Sequence, residues 1–531
     1  MTLTNATPRY QPATFTRKAL CFVLAHGILG LPMAHAAIID VDSLSDTTAP
    51  SACTLRDAIE SANTDAAVGG CAAGSLVDTI TFDGLTTPAT IQLTNGQLTI
   101  KTPMNIQGPG QDQLTIDAGG LSRVISIDSW APDTPDTDID VSIDGVTVSG
   151  GLIPNASIPF EGYNGAGIES LENLTLSNVT ISGNTATTDG AAGGLYIFRG
   201  IATITDSTIT NNSSYWAGAG IDVGKATLNI TDSFVTNNHT QNGDGAGINV
   251  WGGTLNLLRS TVSGNTAEGD FKGGGGIYAR GLPFGATARR ADISIINSQI
   301  SQNTAPGGGA LKVSEFATVS ISNSTLTANT ANGTGNFDAG GAIDANSNGK
   351  SGDEGYTITI VNTTISGNSA TRGGAINTTG GILTINHVTM TDNSASEGTF
   401  GAVGGLVVGS GSNIDMSNSI IANSTGADCE DKFAALASNI NNLIEDGTCA
   451  TDAVNLVTGD PLLGPLQDNG GLTPTHALLT GSPAIDAGDS TECAAKDQRG
   501  IDRNSASCDI GAFEIEEAGD DIFMDGFETT L

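Results

Sequence analysis

Along Asn173–Ala186, NLTLSNVTISGNTA, apolar and polar residues alternate in two short runs. Leu174 and Leu176 mark the first run and Val179 and Ile181 the second, with the phase broken at Ser177-Asn178. A period of two places these four side chains on one face of two short strands, and the break marks a turn. The pattern returns as TITDSTITNNSS, LNITDSFVTNNHT, LNLLRSTVSGNTA, ISIINSQISQNTA, VSISNSTLTANTA, ITIVNTTISGNSA and LTINHVTMTDNSA. Each copy ends in an asparagine: Asn184, Asn212, Asn238, Asn265, Asn303, Asn329, Asn368 and Asn393, spaced by 28, 26, 27, 38, 26, 39 and 25 residues. A ninth, looser copy, IDMSNSIIANST, is slipped by one residue. Between copies lies a Gly-rich turn and an apolar strand start, as in GGLYIF, GAGIDV, GAGINV, GGGIYA and GGAIDA.

A repeat of this length is one coil of a stacked architecture, with three short strands and three turns. Stacking carries Leu176 onto Ile204, Ile230, Leu257, Ile295, Ile321, Ile360 and Ile385 as an aliphatic ladder. Nine to ten such coils make a rod roughly 45 Å long. The terminal asparagines read as a structural amide ladder, because a turn repeated in every coil needs the same backbone partner each time. The glycines supply positive φ and close coil approach. Nothing completes a phosphate cradle, since no helix follows them and no Lys closes a P-loop.

The ends depart from the repeat. Residues 1–36 read as an export leader: Arg17 and Lys18 precede the apolar run ALCFVLAHGILGL, and Ala34-His35-Ala36 forms an A-x-A site with cleavage after Ala36. The apolar run is too short for a helical membrane span. Residues 37–77 form an N-terminal cap, in which Thr54 and Asp57 open a helix burying Leu55, Ala58, Ile59 and Ala62. Residues 78–425 carry the coils, beginning with the irregular strands DTITF, TIQLT, QLTI, MNIQG, LTIDAG and RVISI. The polar, Pro-interrupted Ala131–Asp138 is a surface loop, and Ile143–Gly151 a degenerate first repeat. Residues 426–514 form the last coils and a C-terminal cap, and residues 515–531 an acidic tail.

Composition narrows the function classes. The chain of 531 residues has 71 Gly, only 20 Lys plus Arg, and a net charge of −36, or −39 without residues 1–36. That balance excludes nucleic acid as a partner, because phosphate binding needs clustered cations. Of seven cysteines, Cys21 lies in the leader. The other six fall into local pairs, Cys53 with Cys71, Cys429 with Cys449, and Cys493 with Cys508. An even count in an exported chain favours disulfides; six allow 15 pairings, of which the sequential one closes the shortest loops. No pair has zinc-ligand spacing. Surface acids are able to take Ca²⁺, but no calcium motif appears, so no metal or cofactor is assigned.

Four parts of the chain resemble known families. CTLRDAIESAN, Cys53–Asn63, resembles the CSLREA-type segment that precedes a right-handed parallel β-helix in secreted bacterial proteins. The GGAI-type repeats are partly similar to chlamydial polymorphic outer-membrane proteins, which favour Phe three residues before the Asn where Ile, Val, Leu or Met stands here. DNGGLTPTHAL, GSPAIDAG, DQRG and CDIGAFE, within Asp460–Glu514, resemble choice-of-anchor Q proteins. The terminal DDIFMDGFETTL is similar to DGFE-type tails of secreted gammaproteobacterial proteins. Together they imply an all-β, right-handed parallel β-helix with a capping helix and a disulfide-bearing C-terminal cap, secreted or on the cell surface. They imply no particular activity.

Catalysis on such a fold calls for a carboxylate pair 5–10 Å apart, or a Lys/Arg base beside Ca²⁺-binding aspartates. Asp353-Glu354 sits in a polar insertion, Asp520-Asp521 in the tail, and Asp486 and Asp489 in turns. The outward positions after each Gly turn offer more. They place Tyr196, Phe198, Asp222, Asn249, Trp251, Tyr278 and Arg280 on one face, in a chain with only 5% aromatic residues. Arg289 and Arg290 add a basic spot, on an insertion able either to border this face or to bury it. The expectation is a non-enzymatic adhesion or interaction protein whose partner is a carbohydrate or a surface protein, with a glycan on this face. The alternative is a polysaccharide lyase or glycoside hydrolase using the same face.

Overall fold

The computed structural model describes residues 36–129, 138–153, 164–187, 190–269, 273–282, 288–333, 340–348, 350, 354–396, 401–431 and 434–516. The leader, most of the 131–138 loop, Asp353 and the acidic end of the tail lie outside them. Every strand-to-strand ladder among the described residues is parallel, in sheets of 25, 12 and 9 strands, and each strand pairs with its counterpart one coil on. The chain is a right-handed parallel β-helix. Leu176 stands in register with Ile204, then Ile230, Leu257, Ile295, Ile321, Ile360 and Ile385. All eight are buried in one continuous core. Each contributes about 1.5–3 kcal/mol by leaving water.

Two of the coil's three turns each carry a polar column. At the first, a residue with left-handed backbone (Asn178, Asp206, Asp232, Arg259, Asn297 or Asn323) bends the large sheet into two strips. After each of these except Asn178 comes a serine that is shared between coils. Ser207, Ser233, Ser260 and Ser298 each donate a backbone N–H to the next serine's hydroxyl at 3.1 Å. That serine column was not evident from the repeat alone, because serine is common throughout it. At the second turn stand the eight asparagines. Asn184 Nδ2 donates to Asn212 Oδ1 at 3.0 Å, and the relay continues through Asn238, Asn265, Asn303, Asn329 and Asn368 to Asn393 at 2.9–3.0 Å. Each Oδ1 also accepts the backbone N–H of the asparagine before it, so polar groups inside the wall are satisfied.

The helix Leu55–Thr64 covers one end of the core, with Thr54 accepting from the Asp57 N–H and Leu55, Ala58, Ile59 and Ala62 buried. The six expected early strands form at Asp78–Thr81, Ala89–Gln92, Leu98–Ile100, Met104–Gln107, Leu114–Asp117 and Ile125–Ile127. The disulfides are sequential: Cys53–Cys71, Cys429–Cys449 and Cys493–Cys508. Coils continue past Thr425 through Ala427–Glu430, Ser438–Ile440 and Leu443–Ile444.

The C-terminal region is more than an end plug. Residues 460–516 return along the side of the helix as a strap over its last coils. Thr473 Oγ1 donates to Asn323 O, Gln498 Nε2 to Thr325 Oγ1, and Thr364 Oγ1 to Gln498 Oε1. Asn362 Nδ2 donates to Lys496 O, and the Ala512 N–H to Thr389 Oγ1. The strap thus bonds to residues of three successive coils.

Candidate functional site

The 12-stranded sheet carries the face singled out by the repeat. Its register aligns Ser126, Glu169, Tyr196, Asp222, Asn249, Tyr278, Lys312, Asp344 and Asn377 in one column. Of the two alternatives for this face, exposed or covered, the structure covers this column in part. Asp222 and Asn249 are buried at 8% and 6% exposure, and Tyr196 and Tyr278 are half-buried. The cause is the Gly turn itself. A Cβ on Gly218 would meet the Asp222 Cβ at 2.6 Å, and one on Gly245 the Asn249 Cβ at 3.0 Å. With φ of +58° and +60°, these glycines let the turn fold back onto its own strand.

Within this covered column, polar groups satisfy one another. Asn249 Nδ2 donates to Asp222 Oδ1 at 2.6 Å, and Asn377 Nδ2 to Asp344 Oδ1 at 2.9 Å. Glu169 pairs with Arg123 at 2.7 Å, and the Tyr278 hydroxyl lies 3.3 Å from Ser314 Oγ. Burial pushes the Asp222 carboxyl up to about 6, partly offset by the Asn249 hydrogen bond. Burial likewise raises Glu169, against the opposing charge of Arg123, and raises both tyrosines.

The second column remains at the surface. It runs Phe198, Gly224, Trp251 and Arg280, with Trp251 level with Arg280 in the ladder. Phe198 is 38% and Trp251 54% exposed. Phe198 stacks on Tyr196 with centroids 6.1 Å apart, and Lys225 Nζ sits 5.6 Å from its ring. Gly224 leaves room for the Phe198 ring: a Cβ there would lie 2.7 Å from it. Two aromatic side chains thus stand on either side of the buried Gly224, two coils or roughly 10 Å apart along the rod.

The expected basic spot is tied down. Arg280 pairs with Glu315 at 2.8 Å, and Arg289 Nη1 donates to Lys225 O at 3.0 Å. Arg290 Nε donates to Thr318 Oγ1 at 2.9 Å. The described ends of this insertion join through Leu282 and Arg289 and pack beside Gly252, and Trp251 stays open. Of the seven face residues, the structure therefore brings Phe198 and Trp251 together as an accessible shelf supported by Tyr196. Asp222, Asn249, Tyr278 and Arg280 lie beneath or beside it in internal bonds.

Trp216 and Phe234 are exposed as well, at 38% and 52%, and half-buried Tyr215 meets Trp216 edge to face at 5.0 Å. Their signal was an aromatic pair in an otherwise polar turn. A cavity of about 400 Å³ borders Glu430 and the Cys429–Cys449 bridge, with Glu430 held by Arg372 at 2.8 Å. His387 lies near Cys493 and Cys508, but these sulfurs are bonded to each other and supply no thiolate. Burial pushes His387 down to about 3, helped by nearby Arg503, and its Nε2 lies 3.3 Å from Asn418 Nδ2 and 3.8 Å from Cys508 Sγ.

Geometry and covered turns together define a parallel β-helix with one open aromatic shelf. Residues 164–349 match the family model described as a right-handed beta helix region. Among solved structures, pectate lyase Pel9A is similar at 12% identity, covering 90% of this chain and 96% of its own, with TM-score 0.39. The A-module of the mannuronan C-5 epimerase AlgE6 of Azotobacter vinelandii is similar at 13% identity over 76% of this chain and 91% of its own, TM-score 0.35. The Dettilon tailspike protein is similar at 13% over 64% and 62%, TM-score 0.28. No curated protein matches the sequence.

Proposed function

We propose that this chain is an exported or cell-surface β-helix that binds carbohydrate through the Phe198–Trp251 shelf and acts in adhesion. The observation that carries the reading is the exposure of Trp251 beside Phe198, on a rigid sheet whose neighbouring polar side chains are satisfied internally. Flat apolar rings on a fixed scaffold suit the C–H faces of pyranose rings, and a rigid shelf loses little entropy on binding. The strongly acidic surface favours neutral over polyanionic glycans.

The test is a glycan array with the parent protein and with Trp251→Ala. We expect the parent to retain a set of neutral oligosaccharides and the variant to lose at least tenfold in affinity, about 1.4 kcal/mol. A parent that binds no glycan, or a variant that binds as well, overturns the reading. Incubation with plant and bacterial polysaccharides tests the enzymatic alternative, in which new unsaturated or reducing ends appear.

A further inference from the structure

We propose that hydrolysis of the Ala36–Ala37 peptide bond creates an N-terminal ammonium whose receptor is already built into the fold, the buried carboxylate of Asp78. This is independent of the glycan reading. Asp78 is fully buried where Asp78–Thr81 pairs in parallel with Ile38–Asp40. Its Oδ1 accepts the Ala37 N–H at 3.1 Å and the Ser75 N–H at 2.7 Å. Its Oδ2 is shielded from solvent and makes no hydrogen bond. The wall around that oxygen is tight, since a Cβ on Gly74 would lie 2.5 Å from Oδ2 and 2.6 Å from Ser61 O.

A buried carboxylate with one unused oxygen is costly, and the penalty falls when a second donor and a compensating charge arrive. In the uncut chain the Ala37 nitrogen has one N–H, already spent on Oδ1. Cleavage supplies what is missing. Water adds its hydroxyl to the Ala36 carbonyl carbon, the C–N bond breaks, and the nitrogen leaves as an amine that takes up protons from water. The resulting ammonium carries three N–H groups. One keeps Oδ1 and another turns to Oδ2, and the two charges cancel.

The surroundings fit this event. Ala36 is exposed and Ala37 half-buried, so the scissile bond lies where the chain leaves the fold. Ala37 is anchored independently, because its carbonyl accepts the Thr79 N–H at 2.9 Å and Ile39 is buried behind it. The first strand therefore stays in place when the preceding residues go. The cutting agent is a peptidase that reads small residues at the A-x-A positions, Ala34 and Ala36.

Two measurements test the proposal. Intact mass and N-terminal sequencing of the protein exported from its cells should begin at Ala37; any other start overturns it. A chain beginning at Ala37 should then be compared with the same chain acetylated on that nitrogen, each with and without Asp78→Asn. We expect Asp78→Asn to lower the Tm of the free-amine chain by several degrees more than that of the acetylated chain. An equal loss in both refutes the ammonium–carboxylate pair. Should Asp78→Asn not fold, the parent is still decisive. Its α-amine should react with an acylating reagent at least tenfold more slowly when folded than when unfolded in urea, and equal rates overturn the idea.

Discussion

At the scale of single residues, position in the coil decides what a polar side chain does. Asp222 and Asp292 are both aspartates on outward strand positions. Asp292 is exposed, whereas Asp222 is sealed under the Gly218 turn. Burial holds the Asp222 carboxyl up to about 6. Between pH about 4 and 6 the folded protein therefore keeps a proton that the unfolded chain has released, and stability falls as pH rises through that window. The full cost is at most about 3 kcal/mol. Asp428, also raised to about 6 by burial, adds a second such group. We expect Asp222→Asn to remove part of the stability lost between pH 4.5 and 7, read from urea midpoints at the two pH values. An unchanged difference between the midpoints would contradict this origin. The glycine responsible was visible in the repeat; its effect was not, because a φ of +58° says nothing about which side chain the turn lands on.

At the scale of elements, the strap is the part least like its surroundings. Gln498 holds it at the centre, donating to Thr325 and Thr473 and accepting from Thr364. The clasp is buried, so truncation leaves hydroxyls without partners at about 1–3 kcal/mol each. We expect Gln498→Ala to make residues 460–516 cleavable under limited proteolysis while the coils up to Leu443–Ile444 remain resistant. Digestion at the parent rate would show that the strap is held elsewhere. The choice-of-anchor-like pieces, DNGGLTPTHAL, GSPAIDAG, DQRG and CDIGAFE, fall within this strap. Their polarity reads as turn chemistry in the sequence, because the threonines and asparagines they bond stand more than 100 residues earlier.

At the scale of the whole molecule, the asparagine column runs through eight coils as one hydrogen-bonded line. A repeat array is stabilised by its own units and by the interfaces between neighbours, so a break in the middle weakens two interfaces at once. Asn265 accepts the Asn238 N–H at 2.9 Å and its Nδ2 at 3.0 Å, and donates to Val235 O and Asn303 Oδ1 at 2.9 Å each. Asn265→Ala strands these buried groups, at about 2–4 kcal/mol in all. Equilibrium denaturation should show that loss, and a change below about 0.5 kcal/mol would mean that the ladder is ornamental.

What the sequence determined by itself is the coil: its length, its inward aliphatic ladder and its asparagine column. Those features are repeated or adjacent along the chain, and period-two alternation with a conserved turn residue in each copy is enough to specify them. Only the tertiary structure decided which outward positions meet solvent. Phe198 and Trp251 stay exposed on either side of Gly224, whereas Asp222 and Asn249 vanish under turns of the same glycine-rich pattern. Exposure depends on what lands on a residue from another part of the chain, and that partner is chosen by packing in three dimensions rather than by anything within reach along the repeat.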